Sequence, residues 1–105
     1  MAVKVIIRRH VQEDKSDQVF ELLKRLRVKA ISQPGYISGE TLVNHYNPQH
    51  MVVISIWQSI EDWMNWQNSD ERVESEAKLE RFLEAPAQYE VYDLGLLSKS
   101  KEFLI

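Results

Sequence analysis

The stretch Met51-Val-Val-Ile-Ser-Ile-Trp57 constrains this chain more than any other, because it is apolar in both of its alternating registers. Side chains along a strand point in turn to the two faces of a sheet. Met51, Val53 and Trp57 therefore share one face, and Val52, Ile54 and Ile56 share the other. A strand of that kind needs cover on both sides. Helices supply one cover. A chain of 105 residues has few elements left for the second, and a domain of this size gains from association. The strand alone therefore predicts a homodimer built across an open sheet face.

The neighbouring segments supply the rest of the fold. Val3 to Val11 is rich in Val and Ile and reads as a strand, with Val3, Val5 and Ile7 on one face and Lys4, Ile6 and Arg8 on the other. Ser16 is the expected N-cap of a helix whose Val19, Leu22, Leu23, Leu26 and Ala30 recur at helical spacing. Pro34-Gly35 ends that helix. Tyr36 to Tyr46 reads as a strand with a bulge at Gly39, and the turn Asn47-Pro48-Gln49 makes Tyr36 to Ser59 a hairpin. Ser59-Ile-Glu-Asp62 has the capping-box pattern and opens a helix carrying Trp63 and Trp66. Asn68-Ser-Asp-Glu71 repeats the pattern and opens a third helix, expected from Ser69 to Glu84, with Val73, Ala77, Leu79, Phe82 and Leu83 as its apolar positions. Gln88 to Leu94 is the last strand, and Leu96 to Ile105 is a tail. The order is β-α-β-β-α-β with the second helix broken in two: an α+β, ferredoxin-like arrangement with a four-stranded antiparallel sheet and helices on one face. Residues 1–105 are expected to form one domain.

Composition narrows the function classes. A net charge of -3 points away from nucleic acid and anionic membranes. The absence of cysteine excludes disulfides, thiolate nucleophiles and Cys-type metal sites, and fits a cytoplasmic location. The N-terminal basic residues Arg8 and Arg9 follow the short apolar run, so no signal peptide is expected. No apolar run reaches the ~20 residues of a membrane span.

Pro34-Gly-Tyr36, the strand end Ile54-Ser-Ile-Trp57 and Glu61-Asp-Trp-Met-Asn-Trp-Gln-Asn-Ser-Asp70 together resemble the antibiotic biosynthesis monooxygenase family, over roughly Val3 to Gly95. The resemblance implies a dimeric α+β barrel formed through open sheet faces. It implies several activities, among them cofactor-free oxidation of phenols by O2 and haem degradation. The haem branch uses an Asn on the first strand, a Trp matched by Trp66, and a His ten residues later. Here Arg8 falls at the Asn position and Glu76 at the His position, and a carboxylate is a poor replacement for imidazole on haem iron. Haem degradation is therefore disfavoured, and no cofactor is expected.

The site candidates follow. Trp57, Trp63, Trp66 and Tyr36 would line a pocket for a flat substrate, against the plain alternative of core packing. Arg8, Arg9 and His10 are the catalytic candidates: an arginine to hold a phenolate or enolate, and a histidine to accept a proton. Their plain alternatives are ion pairs and surface exposure. Arg8 and Arg9 fall on opposite faces of their strand. His45 and His50 flank the hairpin turn and are expected to be near neighbours, without a third metal ligand; no metal site is expected. Arg72–Glu76 and Glu74–Lys78, four apart, are expected as pairs on a solvated helix face. The leading expectation is a homodimeric, cofactor-independent monooxygenase-type enzyme on a small aromatic or enolisable substrate. The alternative is a non-catalytic small-molecule binding module of the same fold.

Overall fold

Alternation along the first strand decides which way the sheet faces. In a computed structural model, which describes residues 1–94, β1 (Val3–His10) buries Val3, Val5, Ile7 and Arg9 and turns Lys4, Ile6, Arg8 and His10 outward. The tail expected at Leu96–Ile105 lies outside the described residues. After β1 come α1 (Ser16–Ile31), β2 (Tyr36–Val43), β3 (His50–Trp57), α2 (Ile60–Gln67), α3 (Asp70–Glu80) and β4 (Gln88–Asp93). The sheet order is β2-β3-β1-β4 with every neighbour antiparallel. This is the ferredoxin-like α+β arrangement expected from the sequence.

Register carries the face of β1 into β3. Val3 pairs with Trp57, Val5 with Ser55, Ile7 with Val53 and Arg9 with Met51. The core lies on this inner face, under the buried side chains Val19, Leu23, Leu26 and Ala30 of α1 and Trp63 and Trp66 of α2. On the outer face Ile6 pairs with Ile54 and Arg8 with Val52. Ile6, Val52, Ile54 and Ile56 are only half-buried there, so β3 is apolar on two faces of which one is uncovered in the single chain.

Both predicted caps on the broken helix form, with one shift of position. Ser59 caps α2: its Oγ accepts from the Asp62 N–H at 3.1 Å. For α3 the cap is Ser69 rather than Asn68, its Oγ accepting from the Arg72 N–H at 3.3 Å. Gly35 takes φ +82°, and a Cβ there would collide with the Asp62 carboxylate, so this turn docks on the start of α2 and admits only glycine.

Several boundaries differ from the sequence reading. Lys15, not Ser16, occupies the N-cap of α1, because a turn from Gln12 to Lys15 with Asp14 at φ 66° sets the helix start one residue earlier. β2 stops at Val43, since Asn44 Oδ1 accepts from the N–H groups of Tyr46 and Asn47 and turns the chain away. The bulge falls at Ile37, between the paired residues Tyr36 and Ser38, not at Gly39. Gly39 is left bare for a different reason: a Cβ there would lie 2.5 Å from the Tyr36 hydroxyl. α3 ends at Glu80, and Leu83 bridges to Val11 instead of continuing the helix.

The largest difference is the face of α3. Val73 is 56% exposed, and Ala77 is exposed, whereas the buried residues are Arg72, Glu76 and Leu79. These three are four and three residues apart and form one stripe. The helix is rotated from its predicted setting because its inner face meets a buried charge, Arg9.

Candidate functional site

Six elements enclose a cavity of about 60 Å³ between the sheet and the helices. β1 contributes Ile7 and Arg9, and α2 contributes Trp63 and Trp66. From β3 come Val53, Ser55 and Trp57, and from α3 come Arg72 and Glu76. The exposed residues Arg27 of α1 and Glu40 of β2 also line it, so the cavity opens to the surface between α1 and β2.

Its wall is aromatic. Tyr36 meets Trp57 edge-on with ring centroids 5.4 Å apart, and Trp57 lies 5.9 Å from Trp63. The Trp57 indole N–H donates to Ser55 Oγ at 3.0 Å, which fixes the ring of a tryptophan that is 1% exposed.

Its polar end is a buried charge cluster. Arg9 and Arg72 are 2% and 4% exposed, and Glu76 is 9% exposed. Arg9 Nη2 and Arg72 Nη2 both donate to Glu76 Oε1, the second at 3.2 Å. Arg72 Nη2 also donates to the Tyr89 hydroxyl at 2.8 Å. The Arg72 guanidinium stands 5.2 Å from the Trp63 ring centroid and 5.4 Å from that of Tyr89, so cation–π contacts hold it in place. Arg9 Nε is buried with no hydrogen-bond partner among the described residues.

The structure thus brings together Arg9, Trp57, Trp63, Trp66 and Tyr36 from the sequence candidates. It does not bring Arg8 or His10 with them. Arg8 faces outward and pairs with Glu90 at 2.7 Å in an exposed ion pair. Arg9, not Arg8, is the strand residue that meets Glu76. His10 stacks on His50 across the β1–β3 pair, centroids 3.9 Å apart, so His50's neighbour is His10 rather than His45, which lies against Tyr46. No histidine lines the cavity, and Glu76 is engaged by two guanidiniums, so these residues do not fit an iron-ligated haem. Among the described residues no group of three His, Cys, Asp or Glu is placed to hold a metal ion.

Two members of the cluster, Arg72 and Glu76, are expected from sequence as a pair on a solvated helix face. The pair forms, but inside the protein. One signal was available: Arg72, Glu76, Leu79 and Leu83 lie on one stripe, and Leu79 and Leu83 are apolar. On the outer surface, Tyr92 donates to Glu90 Oε2 at 2.6 Å. That bond, with Arg8 beside it, holds the Glu90 carboxyl below its ordinary value, and the same bond, followed by the Glu90 charge, pushes the Tyr92 phenol up.

Comparison with known proteins agrees with this architecture. A family model described as antibiotic biosynthesis monooxygenase matches residues 2–77. Protein SchA of Streptomyces halstedii is 25% identical over 81 residues, which is 77% of this chain and 21% of that protein. The chain spans about a fifth of the length of the curated relatives it matches. A conserved protein of Methanosarcina mazei Go1 superposes with a TM-score of 0.83 at 20% identity, covering 88% of this chain and 91% of that one. SnoaB of Streptomyces nogalater, a cofactor-independent oxygenase, superposes with a TM-score of 0.80 at 13% identity, covering 88% and 91%. At these identities the solved structures speak for the fold. Among the described residues no helix is long and apolar enough to cross a membrane.

Proposed function

The chain belongs to the antibiotic biosynthesis monooxygenase family, and we propose that it is a cofactor-independent, monooxygenase-type oxidoreductase acting on a small aromatic or enolisable substrate. The observation that carries this reading is the buried Arg9–Glu76–Arg72 cluster at one end of an aromatic cavity. A purely apolar cavity would suit a passive binding module. Charged groups converging on a water-poor space favour chemistry in which charge develops.

The reaction runs through the substrate anion. A proton leaves an activated C–H or O–H of the substrate, and Glu76 is the acceptor within the cavity. Its Oε1 is taken by both arginines, and Oε2 accepts no hydrogen bond among the described residues. Arg9, whose Nε is unpartnered among the described residues, stabilises the resulting enolate or phenolate, and Arg72 holds Glu76 in place. That anion passes one electron to O2, and the carbon radical and superoxide combine in a new C–O bond. The peroxide takes up the proton held by Glu76. The remaining hydrogen of the oxygenated carbon then leaves as a proton, its bonding pair forming C=O as the O–O bond breaks, and the hydroxide expelled takes that proton to leave as water. One atom of O2 stays in the product as a ketone or quinone oxygen and the other leaves as water. Trp57, Trp63 and Trp66 exclude solvent while this happens.

The outer face completes the assembly. Ile6, Val52, Ile54 and Ile56 form a half-buried apolar strip at the centre of an open sheet, and a second copy packed on that strip would supply the cover that β3 requires. Residues 1–105 act as one domain, in the cytoplasm, in keeping with the cysteine-free composition.

The test is oxygen uptake and label transfer. Hydroxyaromatics and 1,3-dicarbonyls are incubated with metal-free protein under ¹⁸O2. The expected result is uptake above buffer and one labelled oxygen per product. Saturable binding with no uptake by any compound would make the protein a binding module instead.

A further inference from the structure

The protein as a whole is acidic, with a net charge of -3, yet its cavity is not. Arg9, Arg27 and Arg72 line it against Glu40 and Glu76, one positive charge in excess. At its buried end, both guanidiniums share a single oxygen of one carboxylate. Arginine does not give up its proton inside a protein, so titration cannot remove that excess. A buried charge without its own counter-ion is costly, and it persists where something else balances it.

The geometry of Arg9 says what that something is. Nε and Nη2 lie on one edge of the guanidinium and together form the fork that grips an oxyanion with two parallel bonds. Glu76 engages Nη2, while Nε is buried and without an acceptor among the described residues. Unpartnered buried donors are rare in folded proteins and call for an explanation such as an absent ion or ligand. Arg72 has no such spare role, being fixed by Glu76, Tyr89 and the Trp63 ring. Arg9 is the guanidinium with capacity left.

Two further features bound the occupant. The enclosed space of about 60 Å³ holds about four waters, which favours a short occupant over a multi-ring phenol. Its mouth is flanked by Arg27, whose Nη2 donates to the Gly39 carbonyl and so ties α1 to β2 across the opening. Glu40 stands at the same opening, so the charges at the mouth balance and the excess lies at the buried end.

We infer that the cavity takes a small organic monoanion, a carboxylate or enolate, whose oxygen completes the Arg9 fork and whose charge balances the cluster. This rests on the cavity being the reaction site, and it narrows the substrate to a short enolisable acid or dicarbonyl rather than a polycyclic phenol.

The full chain is titrated with sodium acetate and with acetamide, which match in shape and differ in charge, at constant ionic strength. Fluorescence of Trp57, Trp63 and Trp66, all lining the cavity, reports binding. Acetate should saturate, and acetamide should bind at least about tenfold more weakly, the loss expected from one charge-assisted hydrogen bond. Acetylacetone and acetoacetate then separate enolate from carboxylate recognition, and 2-naphthoate tests size and should not bind. Arg9→Met should abolish the preference for acetate, and its melting curve should stay cooperative because Glu76 keeps Arg72. Arg9→Lys, which retains the charge and lacks the fork, should retain a reduced preference and decides the matter if the methionine variant does not fold. Equal binding of acetate and acetamide, tight binding of 2-naphthoate, or an unchanged preference in the Arg9 variants would overturn the inference. Oxygen uptake separates it from the enzyme reading. Anion binding without uptake sinks the oxygenase and leaves this site standing, whereas oxidation of a polycyclic phenol without small-anion binding sinks this site alone.

Discussion

The two faces of the sheet invert the usual ordering of side chains. On the inner face Arg9 is 2% exposed, while on the outer face Ile6, Ile54 and Ile56, three of the most apolar residues in the chain, stay half-open. Burial normally runs the other way. Each departure is costly for an isolated chain, and each points to something outside it: a ligand for the inner charge, a second copy for the outer strip. The composition of a face therefore does not identify the core; the elements packed on it do. α1, α2 and α3 cover the inner face, charge included.

The inner face offers the most severe test of this contrast. Glu76→Gln leaves Arg9 and Arg72 without a carboxylate and should cost about 3–5 kcal/mol, the penalty for breaking a buried ion pair from one side. Arg9→Met removes the excess instead and should be close to neutral. Urea unfolding of both variants decides it, and equal losses would mean that the cluster is not a charge imbalance at all. Next comes Ile54→Lys at the centre of the outer face. It should raise the dimer dissociation constant by roughly a hundredfold or more, since each interface would bury an unpaired ammonium. Sedimentation unchanged from the parent would remove the second copy from the account.

Trp66→Phe sharpens the inner side further. Most apolar area survives, so stability should fall by about 1 kcal/mol while ligand affinity falls several-fold. A large stability loss with unaltered binding would return Trp66 to plain core packing. The smallest effect belongs to the exposed Arg8–Glu90–Tyr92 set. Glu90→Gln should leave the melting midpoint near neutral pH unmoved within scatter, as exposed pairs do. The sign follows from the depressed carboxyl: its contribution is present above the ordinary Glu90 value of 4.5 and is lost as pH falls below it. The raised Tyr92 phenol acts the other way, contributing below its ordinary value of 10.0 and fading as pH rises past it. A midpoint that drops sharply between pH 7 and 5 in the parent alone would contradict this.

Much of the fold could be read from local pattern because local pattern was its cause. Alternation set β1, the spacing of Val19, Leu23, Leu26 and Ala30 set α1, and two serine caps set the break between α2 and α3. The aromatic half of the cavity was legible for the same reason, as large side chains beside a helix start. The charged half was not. Arg9 and Glu76 stand 67 residues apart, and nothing near either one says that the other will neutralise it. Without that knowledge Val73 and Ala77 looked like the inner face of α3, and Arg72 and Glu76 like a surface pair. His10 met His50 instead of His45 because register, not proximity to the turn, decides cross-strand neighbours.

The central place of β1 has a temporal side. It precedes the other strands of this sheet, yet its two sheet neighbours are β3 and β4, and Arg8 pairs as far away as Gln88. At roughly 5–20 residues per second, a ribosome needs about 4–16 s to travel between those two positions. β1 has both hydrogen-bonding edges unpaired until β3 is made and one of them until β4 is, and Arg9 has no Glu76 to meet until α3 follows, so the strand waits in the company of whatever holds nascent chains. Closure by non-local pairing also places the domain among the slower folders of its size. The cavity, assembled from β1 and α3 among other elements, is complete only once Glu76 has been made.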